Sequence, residues 1–136
     1  MFKRLIGIDY GKSRIGIASG QMVTRTATPV STITAKNGVP NWYQFDYIIN
    51  QWLPHKIIVG LPIDTKDQET KITKEVRDFV KTIEERYQKT IGLVTEAFST
   101  LEAHCLLKET RKNSSSHLRV DSVAACIILE TWMNIN

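Results

Sequence analysis

The sequence predicts an α/β fold in which helices cover both faces of a mixed, five-stranded β-sheet. Three strand-like segments come first with no helical segment between them, which favours antiparallel hairpins. Strands and helices then alternate, which favours parallel crossover connections. The chain has 136 residues, of which 42% are hydrophobic, and this suits one packed core. We therefore expect a single domain over residues 1–136.

The first two predicted strands form a hairpin. Apolar runs of strand length lie at 3–9 and 14–19, and turn-forming residues lie between them at 11–13. A third strand is expected over 22–33 because this segment is rich in Thr and Val. Pro29 within it disfavours a central position in the sheet.

The later elements are predicted from apolar spacing and from residues that begin or end helices. Asn41 is a favourable N-cap, and Pro54 ends the helix that it begins. Residues 36–41 are expected to form a loop, and the charges of 70–87 to form a solvated face. The remaining predicted elements are helices over 41–53, 70–87, 99–107 and 118–133 and strands over 56–60 and 91–96.

Composition and charge narrow the function classes. The net charge is +4, and the first 36 residues contain six basic residues and one acidic residue, which favours a polyanionic partner. No apolar run approaches the ~20 residues that span a membrane, and no signal-peptide pattern is present. Cys105 and Cys126 lie in apolar helical patterns and are expected to be buried thiols. We expect a cytoplasmic protein with no membrane contact.

Asp9 lies where the first buried strand ends and a turn begins. A carboxylate in that position is costly unless it is hydrogen-bonded, paired or bound to a cation. Two interpretations are open at this point. Asp9 either stabilises the hairpin turn or binds a metal ion at the end of the first strand.

Two further acids lie at ends of predicted elements: Glu96 ends a strand, and Asp121 lies in the first turn of the last helix. Glu96 could be a surface turn residue, and Asp121 could be an acid that favours a helix start. With Asp9, however, they would cluster at one edge of an α/β sheet. Clustered carboxylates suit Mg²⁺ or Mn²⁺, and two such ions about 4 Å apart support phosphodiester hydrolysis. Together the three acids favour a site.

Four segments carry a resemblance to a known family, at 8–18, 59–62, 96–100 and 120–125. They resemble the YqgF family, also called RuvX, of pre-16S rRNA nucleases, which are similar to Holliday junction resolvases. The resemblance implies a ribonuclease H-like fold and activity in 5′-end maturation of precursor 16S ribosomal RNA. It also implies that the same three acids are catalytic.

The chain departs from the family pattern in two places. Thr95-Glu96-Ala97 stands where the family usually has Asp-Glu-Arg, and residues 64–70 lack the family's Asn and glycines. The missing arginine leaves open a ribosome-associated RNA-binding module with weakened catalysis. Holliday junction resolution on DNA is a further alternative. An actin-like phosphotransferase is disfavoured because that fold needs two such domains.

The sequence therefore predicts a nuclease with two Mg²⁺ or Mn²⁺ ions that acts on structured RNA, with branched DNA as the second substrate class. We expect a monomer or a weak homodimer. Lys12 and Arg14 are expected to contact phosphate. Three later basic residues are expected to guide the strand, and these are Arg111, Lys112 and Arg119.

Overall fold

The computed structural model describes residues 3–64, 66, 68–97 and 117–136, with side chains described except at 96, 97 and 117–120. The strands are β1 (Arg4–Asp9), β2 (Arg14–Gln21), β3 (Thr26–Lys36), β4 (Val39–Pro40), β5 (Lys56–Ile63) and β6 (Ile91–Ala97). The helices are α1 (Trp42–Trp52), α2 (Lys71–Tyr87) and α3 (His117–Ile135). All of these strands form one sheet in the order β4-β3-β2-β1-β5-β6.

The sheet is mixed, as predicted. Neighbouring strands from β4 to β1 are antiparallel, whereas β1, β5 and β6 are parallel. The predicted count of five strands is wrong, because the described part of the chain contains a sixth, β4. This short strand falls in the segment expected to be a loop. Asn37 and Gly38 both have positive φ, at 52° and 84°, as a tight two-residue hairpin turn requires.

The third strand begins later than predicted. Residues 22–25 form a turn, and β3 starts at Thr26. Arg25 has a φ of 54°, and its guanidinium donates to the carbonyl oxygen of Met133 in the last turn of α3. The turn therefore supplies a donor for a helix end whose carbonyl groups lack partners within the helix.

Helix α3 covers one face of the sheet. Its buried side chains pack against Leu5, Ala18, Ile58 and Val94, and those from the helix include Ala125, Ile128, Leu129 and Met133. The helix approaches the strands closely because the sheet presents glycine beneath it. A Cβ atom added at Gly7 would lie 2.9 Å from the carbonyl oxygen of Ala125.

Helices α1 and α2 cover the opposite face. Phe45 of α1 and Phe79 of α2 meet edge to face with ring centroids 6.0 Å apart. These helices bury the larger cluster of the core against strand residues that include Ile6, Ile8, Ile15, Ile17, Ile57 and Val59. The prediction of helices on both faces is confirmed.

The helix boundaries agree closely with the expected ones. Asn41 is the N-cap of α1, and its side-chain oxygen accepts a hydrogen bond from Gln44 N at 3.2 Å. The predicted helix over 99–107 and Cys105 lie outside the described residues, whereas Cys126 is a buried thiol. None of the helices that the structure describes is both long and apolar enough to cross a membrane.

A charged network joins α1 to α2. The Asp46 carboxylate accepts two hydrogen bonds from Arg86, at 2.8 and 2.6 Å, and one from the Tyr87 hydroxyl at 2.6 Å. The Arg86 guanidinium also lies over the Trp42 ring, 4.3 Å from its centroid. The Arg86 hydrogen bonds are the main reason that the pKa of Asp46 is lowered to about 2.

This network predicts a pH-dependent contribution to stability. The pKa of Asp46 is lower in the folded protein than the ordinary value of 3.8, so its contribution is present above pH 4 and is lost as the pH falls toward 2. Asp46→Asn should therefore be less stable than wild type at pH 6, and the difference should shrink by pH 2.5. Urea unfolding at both values tests this. Glu85→Gln, at an exposed position of α2, is the control and should show no such change.

Candidate active site

Asp9 is the last residue of β1, next to the centre of the sheet. It lies opposite Gly16 in β2, and the preceding residue, Ile8, lies opposite Val59 of β5. Opposed residues of paired strands face the same side, so Asp9 and Gly16 both face α3. Asp9 is half-buried. The structure therefore places this carboxylate on the face that α3 covers.

The start of α3 crosses the sheet at this point. A Cβ atom at Gly16 would clash with the backbone carbonyl group of Asp121 and would lie 2.9 Å from Ser122 N. The glycine at position 16 thus allows the backbone of α3 to lie directly against β2. This contact brings Asp121 beside Asp9.

Asp121 lies further along α3 than the sequence suggested. The helix starts at His117, and its first turn contains no acid. The interpretation of Asp121 as an acid that favours the helix start is therefore not supported. Its carboxylate instead pairs with Arg14, with Nε and Oδ2 2.9 Å apart.

The two acids interact unfavourably. Burial and the negative charge of Asp121 raise the pKa of Asp9 from the ordinary 3.8 to about 7. Arg14 compensates Asp121 through their ion pair, while Asp9 has no cation in the described structure that lowers its pKa. A cation bound between the two carboxylates would remove this repulsion.

Glu96 lies at the matching end of β6. It is paired in register with Pro62 of β5 and follows Val94, which packs under α3, by two residues. Strand alternation therefore places position 96 on the same face as Asp9. Strand β5 lies between, so β1 and β6 are separated by about 10 Å, two strand spacings. Among the residues that the structure describes, no group of three or more Asp, Glu, His or Cys side chains is placed to hold a metal ion. The Glu96 side chain is not among those described.

The two predicted phosphate-binding residues of the first hairpin, Lys12 and Arg14, lie in different environments. Arg14 lies beside the acids, whereas Lys12 pairs with Glu75 of α2, with Nζ and Oε1 3.2 Å apart. Glu75 was expected on a solvated face, and its pairing is a contact that helical spacing could not reveal. Arg111 and Lys112 lie outside the described residues, and Arg119 lies in α3 without a described side chain.

Comparisons with known proteins show the family to which the chain belongs. The family model described as "RuvX: Holliday junction resolvase" matches residues 3–135. The chain belongs to the RuvX family. A relative from Francisella tularensis subsp. novicida is 56% identical over all 136 residues, and one from Francisella philomiragia is 54% identical, both over the full length of each chain. Both are named "Putative pre-16S rRNA nuclease".

Solved structures share the fold. Thermus thermophilus RuvC in complex with a Holliday junction substrate matches with a TM-score of 0.56 at 10% identity, covering 98% of this chain and 94% of that one. The yeast mitochondrial Holliday junction resolvase matches with a TM-score of 0.53 at 10% identity, covering 96% and 78%. The ribonuclease H-like fold implied by the RuvX resemblance is confirmed.

Proposed function

We propose that this RuvX family member is a metal-dependent nuclease that hydrolyses phosphodiester bonds in precursor 16S ribosomal RNA. The observation that carries the proposal is the convergence of Asp9 and Asp121 where β1 ends beneath α3. The names of the Francisella relatives favour this substrate. We further propose that it acts in the cytoplasm as a monomer or a weak homodimer.

We assign Asp9, Glu96 and Asp121 as ligands of Mg²⁺ or Mn²⁺. Two of these carboxylates are close enough for the charge of one to raise the pKa of the other, so the described donors fit a hard cation. A bound pair of such ions would activate a water molecule and stabilise the leaving oxygen.

The chain's own residues prepare this chemistry. Asp9 must lose its proton to bind a cation, and its raised pKa places that loss near neutral pH. Arg14 keeps the Asp121 carboxylate oriented through their ion pair. Because a guanidinium group can donate two parallel hydrogen bonds to phosphate oxygens, Arg14 is also a suitable contact for a substrate phosphate beside the acids.

A cleavage assay with three substrates tests the proposal. The substrates are a precursor 16S fragment with its 5′ extension, a four-way DNA junction and an unstructured single-stranded RNA. We expect cleavage of the precursor in Mg²⁺ or Mn²⁺ and none in EDTA. Cleavage that persists in EDTA would contradict the metal assignment. Precursor binding without cleavage in either metal would favour an RNA-binding module.

Holliday junction resolution is the second candidate, because the matching family model bears that description. Symmetric cutting needs two active sites, so a resolvase should bind the junction as a dimer. Sedimentation of the protein with a four-way junction distinguishes the two proposals. A dimer on the junction with paired symmetric cuts would favour the resolvase.

The basic pair Arg111 and Lys112 provides a test of strand binding. Neutralising both with Gln should weaken RNA binding and reduce the slope of log affinity against log salt by roughly one unit per lost phosphate contact. Fluorescence anisotropy with labelled RNA across a salt series measures the slope. Lys89→Gln, two residues beyond the C-terminal end of α2, is the control and should leave the slope unchanged. An unchanged slope in the double variant would show that Arg111 and Lys112 do not contact RNA phosphates.

A further inference from the structure

A cavity of about 450 Å³ lies on the opposite face of the sheet from Asp9, beyond the same end of β1. It is lined by Tyr10 and Lys12, by the 37–40 turn, by Trp42 and by residues of α2. Tyr10 directly follows Asp9 in the chain, so the cavity and the acids lie next to each other on two faces of one strand end. The cavity is of the size that proteins use for small ligands.

Aromatic rings form much of the cavity wall. The rings of Tyr10 and Phe79 contact each other with centroids 4.7 Å apart, and Trp42 also lines the cavity. The Tyr10 hydroxyl donates a hydrogen bond to Gly38 O at 3.0 Å, which fixes the ring. Rigid rings of this kind bind planar groups by stacking, as they do for bases in single-stranded nucleic acids.

Two charged residues of the cavity wall, Lys12 and Glu75, form an ion pair. Lys12 Nζ is 3.2 Å from Glu75 Oε1. Glu75 Oε2 has no contact with solvent and no hydrogen-bond donor among the described residues. A buried acceptor without a donor is costly, and the last torsion of a Glu side chain rotates easily. A ligand in the cavity that offers adjacent N–H groups could therefore satisfy this carboxylate.

We propose that this cavity binds a guanine base. The Watson–Crick edge of guanine presents an acceptor, O6, followed by two donors, N1–H and N2–H₂. Lys12 Nζ and Glu75 Oε1 offer a donor beside an acceptor, and rotation of the Glu75 carboxylate about its last torsion would turn the buried Oε2 toward the ligand as a second acceptor. Adenine, cytosine and uracil do not offer two adjacent donors, so the same groups discriminate against them.

Lys12 supplies the cavity with a charged hydrogen-bond donor. Its ammonium group lies against Glu75, and Asp78 also lines the cavity. A neutral base with an acceptor at O6 gains from the same ammonium group. The base has two sources: an unpaired guanosine beside the cleaved phosphate, which rests on the proposed function, or a free guanine nucleotide.

Calorimetry with mononucleotides in EDTA tests the assignment without requiring any cleavage. We expect GMP to bind at least tenfold more tightly than IMP, which lacks only the N2 amino group, and than AMP. Equal binding of GMP and AMP would overturn the proposal. A pentanucleotide with one central guanosine identifies the source. Tighter binding than GMP points to an RNA strand, and equal binding points to the free nucleotide.

Two variants locate the binding to the cavity. Glu75→Gln replaces an acceptor with a donor and should abolish the preference for GMP over IMP and AMP. Glu84→Gln, at an exposed position of the same helix, is the matched control and should behave as wild type. If Glu75→Gln unfolds, Lys12→Met at the cavity mouth should weaken GMP binding through loss of the O6 contact. A preference for GMP that survives in a folded Glu75→Gln protein would place guanine elsewhere.

Because nucleotide binding is measured without metal, the guanine proposal and the nuclease proposal can be contradicted independently of each other. A protein that binds GMP selectively but cleaves nothing contradicts the nuclease assignment alone. A protein that cleaves the precursor but binds all nucleotides equally contradicts the guanine site alone.

Discussion

Asp9→Asn should reduce metal-dependent cleavage of the precursor RNA by at least about 1000-fold, about 4 kcal/mol in transition-state free energy. The amide keeps the shape of the side chain but removes the charge that a cation needs, at the point where β1 ends beside Asp121. Single-turnover cleavage in saturating Mg²⁺ measures the effect. Glu130→Gln, an exposed acid on α3, is the control and should retain wild-type activity.

The same substitution should not unfold the protein. The pKa of Asp9 is raised in the folded state, so its ionised form costs stability as the pH rises from 4 through 7. Asp9→Asn removes this cost. In EDTA the variant should therefore gain stability relative to wild type between pH 5 and pH 8, as measured by urea unfolding. Full Mg²⁺-dependent activity in the variant would show that Asp9 is not a catalytic residue.

Much of this fold could be predicted because its signals are local. Apolar spacing of three and four marks α1 and α2, and alternation of strands with helices marks the parallel half of the sheet. Strand β4 was not predicted because two residues are too few to show a period. Its turn nevertheless carries a strong hairpin signal in Asn37-Gly38.

The site could be predicted only in part, for the same reason. Asp9 was identifiable because an acid that ends a buried strand is visible in the local pattern. The partner of Arg14 was not, because Asp121 lies 107 residues further along the chain. Helical spacing likewise placed Glu75 on a solvated face and did not show that it pairs with Lys12. Pairings of this kind depend on how elements pack, which no local pattern encodes.

The contact between Gly16 and α3 shows how packing creates the site. Gly16 lies opposite Asp9, and the backbone of Asp121 occupies the space where a Cβ atom would be. The atoms in the way belong to the helix backbone, which cannot move aside as a flexible side chain can. A side chain at position 16 must therefore push the start of α3 away from β2, and Asp121 moves with it.

Gly16→Ala should accordingly destabilise the protein by about 3 kcal/mol, the upper part of the range for overpacking a core. Gly20→Ala is the matched control, because Gly20 lies on the same strand and face of the sheet. A Cβ atom there would meet Leu129 Cδ1 and Thr26 O at 3.2 Å, distances that small shifts can relieve. We expect it to cost about 1 kcal/mol or less.

Urea unfolding of the two variants measures the difference. A folded Gly16→Ala protein should also lose most cleavage activity, since separating Asp121 from Asp9 disperses the carboxylates that would share the metal ions. The pKa of Asp9 should fall toward its ordinary value for the same reason, because one of the two causes of its elevation is the charge of Asp121. Equal stability of the two glycine variants would show that α3 does not depend on the gap at Gly16.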